Sequence, residues 1–569
     1  MVKISRDINN NILPIDILIY SAPKTAGNTL EATLIKNNYK TYYTHNKDFF
    51  IINNDVCQGN DISLENYIET QILFRKNKYN KKFYIFCSYR ELLERHISMF
   101  FQNYEIYKNN YNLHNLNIQE LILFFNNNIL SFTKKELPFL ELFNIDLNKF
   151  IKFKNHYIYS LNQYCDIVII KFNDINLWPN ILKEILKTDF TLINNYYSKN
   201  KSYFSLMNEF KKHYYINDYI YYNIKNDKLI SIFLNEQETT QYLNKCKTLI
   251  TKDKTLIGKN NILFLQNDTN KSLITYAVNN NIFDIYIEKY TNIIKLLSNN
   301  KKNYLDKIYT FIFPDKSYIY YKYLPNYINL IDKYFKNFIN KKYNVYYNIE
   351  LYSEIDYYKK DTHINISGLN KFFKYMCNVL NIKLTNEIEN LLNIKQTDNY
   401  LYGFGDLLWE NNLSNEKKIM ITNIQKDFEN NYDWVNIEKF YCNHINNFTN
   451  KYKNIIIKII NKKTYKEIYL NNNEFVNWNI ISENIIISNN TNNINTNNIN
   501  TNNINTNNIN TNNINTVLIF YDSFITHLIP IFMIVFNKCI FIKETLSSHY
   551  LNIYEYDVCL NLINLRFII

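Results

Sequence analysis

The chain has 569 residues, 46% of them hydrophobic and 17% aromatic, with 64 Lys and Arg against 52 Asp and Glu for a net charge of +12. That length exceeds what one core organises and that apolar content excludes a disordered chain, so at least two globular domains are expected. The basic excess is interspersed Lys rather than dense Arg, which argues against a nucleic-acid surface.

Gly, Pro and Arg are scarce: six, seven and five in the whole chain. A short motif that gathers them is therefore not a product of composition. Eight Cys lack CxxC spacing, so neither a metal centre nor a disulfide framework is expected. The N-terminal residues show no signal-peptide pattern, which predicts a cytoplasmic protein. The most apolar stretch, Val517–Val535, contains Asp522, Ser523 and His527, a costly set for a bilayer, so no membrane span is expected.

Residues 1–250 alternate short apolar runs (Ile15–Tyr20, Phe83–Tyr89, Ile167–Phe172) with helical patterns, as an α/β domain does. In the first run an apolar strand leads into Ser21-Ala-Pro-Lys24-Thr25-Ala-Gly27-Asn28-Thr29, with a helix predicted from Thr29. Such a turn aims backbone N–H groups at one point, Gly27 permits close approach, and Lys24 adds a point charge. The spacing is not that of a Walker A loop. The second run ends in Arg90, and Ser98 follows on a predicted helix that also carries Arg95.

The order Pro-Lys-Thr-Ala-Gly-x-Thr-Leu resembles the 5′-phosphosulfate loop of PAPS-dependent sulfotransferases. Arg90 and Ser98 match the spacing with which that family holds the 3′-phosphate, although Leu92 stands where it usually has Pro. Phe143–Asp146 and Lys201–Lys211 look like the related capsular polysaccharide synthesis family, with Ser202 replacing its Trp. The resemblance implies a three-layer P-loop fold and 3′-phosphoadenylyl sulfate as donor. It also implies Lys24, Thr25, Gly27, Asn28, Thr29, Arg90 and Ser98 as nucleotide ligands, with Lys24 also the catalytic cation. His45, after the first helix, is the candidate base by position.

A polar stretch, Thr248–Lys254, reads as a linker. Residues 256–569 form a second α/β domain, with strand-like Tyr309–Phe313, Ile455–Ile460, Val517–Phe520 and Val558–Leu562. An Asn-rich insertion at 488–516, dominated by a repeated Asn-Asn-Ile-Asn-Thr, reads as a disordered loop between two strands.

Several blocks of this half resemble the alginate O-acetyltransferase family, whose domains are SGNH-hydrolase-like. They are Ile257–Leu265, Tyr309-Thr-Phe-Ile-Phe-Pro-Asp-Lys316, Tyr323-Leu-Pro325, Asp361-Thr-His363-Ile-Asn-Ile-Ser-Gly368, Gly405-Asp-Leu407, Tyr521-Asp-Ser523-Phe524 and a closing Tyr556-Asp-Val558 with Arg566-Phe567. The resemblance implies Ser523 as nucleophile, His363 as base and Asp361 as its orienting carboxylate. Tyr521 stands where the family has Gly, and a need for positive φ or close approach there would crowd the site. The expected protein therefore sulfates and O-acetylates a glycan. The alternative is a polysaccharide-biosynthesis protein whose second half is an esterase or a carbohydrate-binding module.

Overall fold

The computed structural model describes residues 14–44 (except 23), 64–132 (except 112, 114 and 115), 143–193 (except 144), 202–298, 305–392, 455–470 (except 463, 465 and 466), 484–490 and 514–568. His45, Gly403, Gly405 and most of the Asn-rich insertion lie outside the described residues. The chain divides into two compact units, Met1–Thr251 and Lys252–Ile569, both of mixed α/β structure.

Unit 1 holds a six-stranded sheet of β1 (Ile17–Tyr20), β2 (Thr41–Thr44), β3 (Phe83–Tyr89), β4 (Ile151–Lys152), β5 (His156–Asn162) and β6 (Cys165–Lys171). The order is β2-β1-β3-β6-β5-β4, parallel through the first four and antiparallel at β5 and β4. The parallel strands β1, β3 and β6 are apolar and buried along nearly their whole length, as expected when both faces are covered. Strand alternation sends Ile17 and Ile19 to one face, where they pack with Leu30 and Leu34 of α1 (Gly27–Lys36) and with Trp178 and Ile181. Tyr42, on the opposite face, meets Tyr67 of α2 (Leu64–Tyr79) at 5.8 Å. Burying each such apolar side chain contributes about 1.5–3 kcal/mol. The helix begins at Gly27, two residues before the predicted start, because left-handed Lys24 (φ 68°) and Ala26 (φ 64°) close the turn early.

Unit 2 has a hairpin of β7 (Thr255–Ile257) and β8 (Leu263–Leu265), then a nine-stranded sheet. Its strands are β9 (Ile308–Phe313), β10 (Phe338–Asn340), β11 (Val345–Tyr347), β12 (Ile455–Asn461), β13 (Glu467–Leu470), β14 (Asn484–Asn490), β15 (Thr516–Tyr521), β16 (Lys538–Ile542) and β17 (Val558–Asn564). The order is β10-β11-β9-β17-β15-β16-β14-β12-β13, with β11, β9, β17, β15 and β16 parallel. The ends of the Asn-rich insertion are ordered: residues 488–490 belong to β14 and Thr516 to β15, where ladder pairing overrides composition. One face carries the helix Ile366–Val379, whose Phe372 packs on Phe311 and Phe313. The other carries Ile282–Ser298, whose Tyr286 hydroxyl bonds Thr310 at 2.7 Å and accepts from Asn561 at 2.8 Å.

Candidate functional site

In unit 2 the carboxyl ends of three adjacent parallel strands converge. β9 runs into Asp315-Lys316, β15 into Asp522-Ser523 and β17 into Asn564-Leu565-Arg566. Chemistry in open α/β sheets gathers at this edge, because strand ends and their loops present side chains there without interrupting the ladder.

Asp361 and His363 come from the loop before the helix Ile366–Val379, and that loop is tied at many points. Asn365 caps the helix, its side chain accepting from Gly368 N at 3.1 Å and donating to Ile355 O at 2.6 Å. The buried Lys316 ammonium donates to the carbonyls of Lys359 and Asp361, each at 2.9 Å. Gly368 is required by space: a Cβ there would sit 2.5 Å from Ile364 and 2.7 Å from the Asp356 carbonyl.

The three residues form one relay. Asp361 Oδ1 accepts from the His363 backbone N–H at 2.9 Å and lies 2.5 Å from His363 Nδ1. His363 Nε2 lies 2.9 Å from Ser523 Oγ. Asp361 is nearly buried and His363 is 26% exposed, so the carboxylate works from the interior while the imidazole edge reaches solvent. With Nδ1–H donated to Asp361, Nε2 is left as an acceptor for the serine proton.

Asp522 fixes the serine. Its Oδ1 accepts from Phe524 N at 2.9 Å and its Oδ2 from Asn564 N at 2.7 Å, tying the end of β15 to that of β17. Burial raises its pKa above the usual carboxylate value, opposed by these two amides and by Arg566 and His363. Tyr521 does not crowd Ser523. It ends β15 paired with Leu562, without positive φ, and its buried ring stands edge-on to Phe541 at 6.3 Å. The position therefore demands no glycine in this chain.

In unit 1 the predicted loop follows β1, and α1 starts without a side-chain cap, its Thr29 and Leu30 N–H groups bonding the Ala26 carbonyl at 3.0 and 3.1 Å. Arg90, at the end of β3, donates from NH1 to the Lys24 carbonyl at 3.1 Å and lies 4.3 Å over the Phe172 ring. Burial lowers its pKa, against the pull of Glu94 and Glu91. Thr25 is buried and serves the loop: its hydroxyl donates to the Ala22 carbonyl at 2.8 Å and accepts from Ser88 at 2.8 Å. Packing also favours glycine at position 27, where a Cβ would lie 2.3 Å from the Tyr43 ring. Lys24 is half-buried, Asn28 exposed, Thr29 buried and Ser98 half-buried on the helix Leu92–Gln102. Lys24, Thr25 and Arg90 are thus joined around one loop; Ser98 lies one helical turn beyond Glu94.

Beside Arg90 opens a cavity of about 650 Å³, a size suited to a small molecule. Phe172, Tyr242, Glu94, Lys211 and Lys245 line it. Burial would raise the Glu94 carboxyl, but Lys211 at 3.2 Å and Lys245 at 2.5 Å outweigh it and hold it at about 2. The loop, the helix start without a side-chain cap and the Arg90 guanidinium are groups of the kind that can meet an anion. Among the described residues no group of His, Cys, Asp and Glu could hold a metal ion, and no helix is long and apolar enough to cross a membrane.

Sequence reading placed Lys316 and Arg566 inside motifs without giving either a role, and passed over Asn564 and Lys245. For Arg566 a signal existed, since it is one of only five Arg in the chain. Asn564 and Lys245 look like ordinary residues of an Asn- and Lys-rich composition.

No family model matches the chain, and no curated protein matches it. Among solved structures, PatB1 of Bacillus cereus is similar at 12% identity, covering 56% of this chain and 97% of that one, with a TM-score of 0.33. The same protein with a sulfonyl adduct gives 11%, 55%, 97% and 0.33. A DHHW family protein from Eubacterium siraeum gives 11%, 49%, 83% and 0.27. Likeness at this level carries no weight for function.

Proposed function

We propose that this chain is a two-domain glycan-modifying enzyme. Its second half, an SGNH-hydrolase-like domain, transfers an acetyl group through Ser523 to a sugar hydroxyl. The observation that carries this reading is the unbroken relay from Asp361 through His363 to Ser523 at the carboxyl edge of the sheet. Ser523 Oγ attacks the donor carbonyl as its proton passes to His363 Nε2; His363 returns that proton to the leaving group. A sugar hydroxyl then gives its proton to His363 and attacks the acyl carbon; the acyl–Oγ bond breaks, and His363 passes that proton to Ser523 Oγ. Asp361 stabilises the imidazolium in both halves of the cycle.

The first half, read as a P-loop sulfotransferase-like domain, transfers a sulfuryl group to the same class of acceptor. PAPS supplies that group when bound. Lys24 and the α1 N-terminus would hold its charge, and Arg90 braces the loop through the Lys24 carbonyl. His45, the candidate base, lies outside the described residues.

Treatment of the folded protein with a fluorophosphonate tests the second half. Labelling of Ser523 located by peptide mass spectrometry is expected; an unlabelled folded protein would leave the esterase and transferase readings without a nucleophile. Calorimetry with adenosine 3′,5′-bisphosphate tests the first half separately, and no binding would remove the sulfotransferase reading.

A further inference from the structure

Arg566 follows β17 and is buried at 6% exposure, an expensive place for a guanidinium unless it is used. It packs over two rings, 5.1 Å from the Phe524 centroid and 5.0 Å from that of Phe567. Its NH2 donates a long bond, 3.5 Å, to Thr362 Oγ1, and its buried Nε has no hydrogen-bond partner. Both contacts lead to the histidine. The Phe524 ring packs against His363, centroids 4.9 Å apart, and Thr362 Oγ1 lies 3.4 Å from His363 Nδ1.

We propose that Arg566 is a positioning residue for the relay: braced on Phe524 and reaching Thr362, its guanidinium holds the His363 ring toward Ser523. This rests on the reading of Ser523 as a nucleophile. The loop bearing His363 and the turn bearing Ser523 are separate in sequence, and Arg566 touches both, through Thr362 and Phe524, so it sets their spacing. It also acts by charge. The charged groups around His363 are Asp361 on its own loop, Asp522 after β15, Lys316 after β9 and Arg566 after β17. Two carboxylates favour the imidazolium, and two buried cations, Lys316 and Arg566, oppose them. Arg566 therefore keeps more of the imidazole neutral, the form that takes a proton from serine.

The test is the rate of fluorophosphonate labelling against pH for wild type, Arg566→Met, Arg566→Lys and Thr362→Val, each with its melting temperature. Arg566→Met is expected to label at least about tenfold more slowly, with its pH midpoint raised by roughly half a unit or more, because a nearby cation has gone. Arg566→Lys keeps the charge and is expected to keep the midpoint while remaining slower, since an ammonium cannot stack as a planar fork does. Thr362→Val is expected to slow labelling severalfold without moving the midpoint. Wild-type rate and midpoint in Arg566→Met overturn the proposal, as does a slow rate with an unmoved midpoint, which assigns Arg566 to packing alone. If Arg566→Met does not fold, Arg566→Lys and Thr362→Val decide, and wild-type rates in both overturn it. An unlabelled wild type removes the nucleophile and takes the proposal with it, an outcome distinct from normal labelling in the variants.

Discussion

His363 Nε2 and Ser523 Oγ lie 2.9 Å apart although 160 positions separate them in the chain. Replacing either should therefore abolish the same activity. Ser523→Ala and His363→Ala are expected to lose fluorophosphonate labelling with the melting temperature little changed. Asp361→Asn should leave the geometry and lower the rate roughly 10²–10⁴-fold by disturbing the tautomer. Labelling that persists in Ser523→Ala would place the nucleophile elsewhere.

Arg90 joins the Lys24 carbonyl to the Phe172 ring, so it shapes the loop and offers charge. Lys24→Ala and Arg90→Ala are each expected to weaken binding of adenosine 3′,5′-bisphosphate at least tenfold, since a charge-assisted contact is worth about 1.5–3 kcal/mol. Unchanged affinity in both variants would show that the nucleotide, if it binds, binds elsewhere.

Tyr521 fills space between β15 and Phe541. Tyr521→Gly is expected to destabilise unit 2 by about 3–5 kcal/mol, as removal of a buried aromatic does, rather than to open the site. Thermal melting beside the labelling rate measures both. A faster-labelling variant of unchanged stability would mean that the ring does obstruct Ser523.

Gly368→Ala forces a methyl group into contact with the Asp356 carbonyl at 2.7 Å and with Ile364 at 2.5 Å. The expected cost is about 1–3 kcal/mol of overpacking, with slower labelling because Ile364 adjoins His363. The control is Ser367→Ala, which removes a hydroxyl that bonds Asp356 at 2.8 Å and adds no bulk. Equal losses in both would show that the methyl clash is not the cause.

Glu94, held at about 2 by Lys211 and Lys245, makes unit 1 sensitive to acid. A carboxyl depressed in the folded state stabilises fully above its ordinary value of 4.5, and that contribution fades as pH falls toward 2. Its worth is roughly 1–2 kcal/mol after allowing for the exposure of the lysines. Glu94→Gln should lower the melting temperature at pH 7 and flatten its decline between pH 4.5 and 2. An equally steep acid decline in the variant would assign the sensitivity to other carboxylates.

The apolar strands and the motifs beside them were legible in the sequence because they are local. Ile15–Tyr20, Phe83–Tyr89 and Val558–Leu562 are apolar runs that a buried strand explains, and the scarcity of Gly and Arg singles out Gly27, Arg90 and Gly368. The reasons for those residues were not local. Gly27 is small for the Tyr43 ring, which arrives from the neighbouring strand, and Tyr521 is tolerated because Phe541 lies across the ladder. The sequence by itself determined the residue types of the relay and the strand that carries its serine. Tertiary structure alone decided that Asp361, His363 and Ser523 meet, that Asp522 pins the serine to Asn564, and that a buried Arg566 stands behind them. Contacts between distant segments depend on how strands are ordered in the sheet, and no periodicity along one segment records that order.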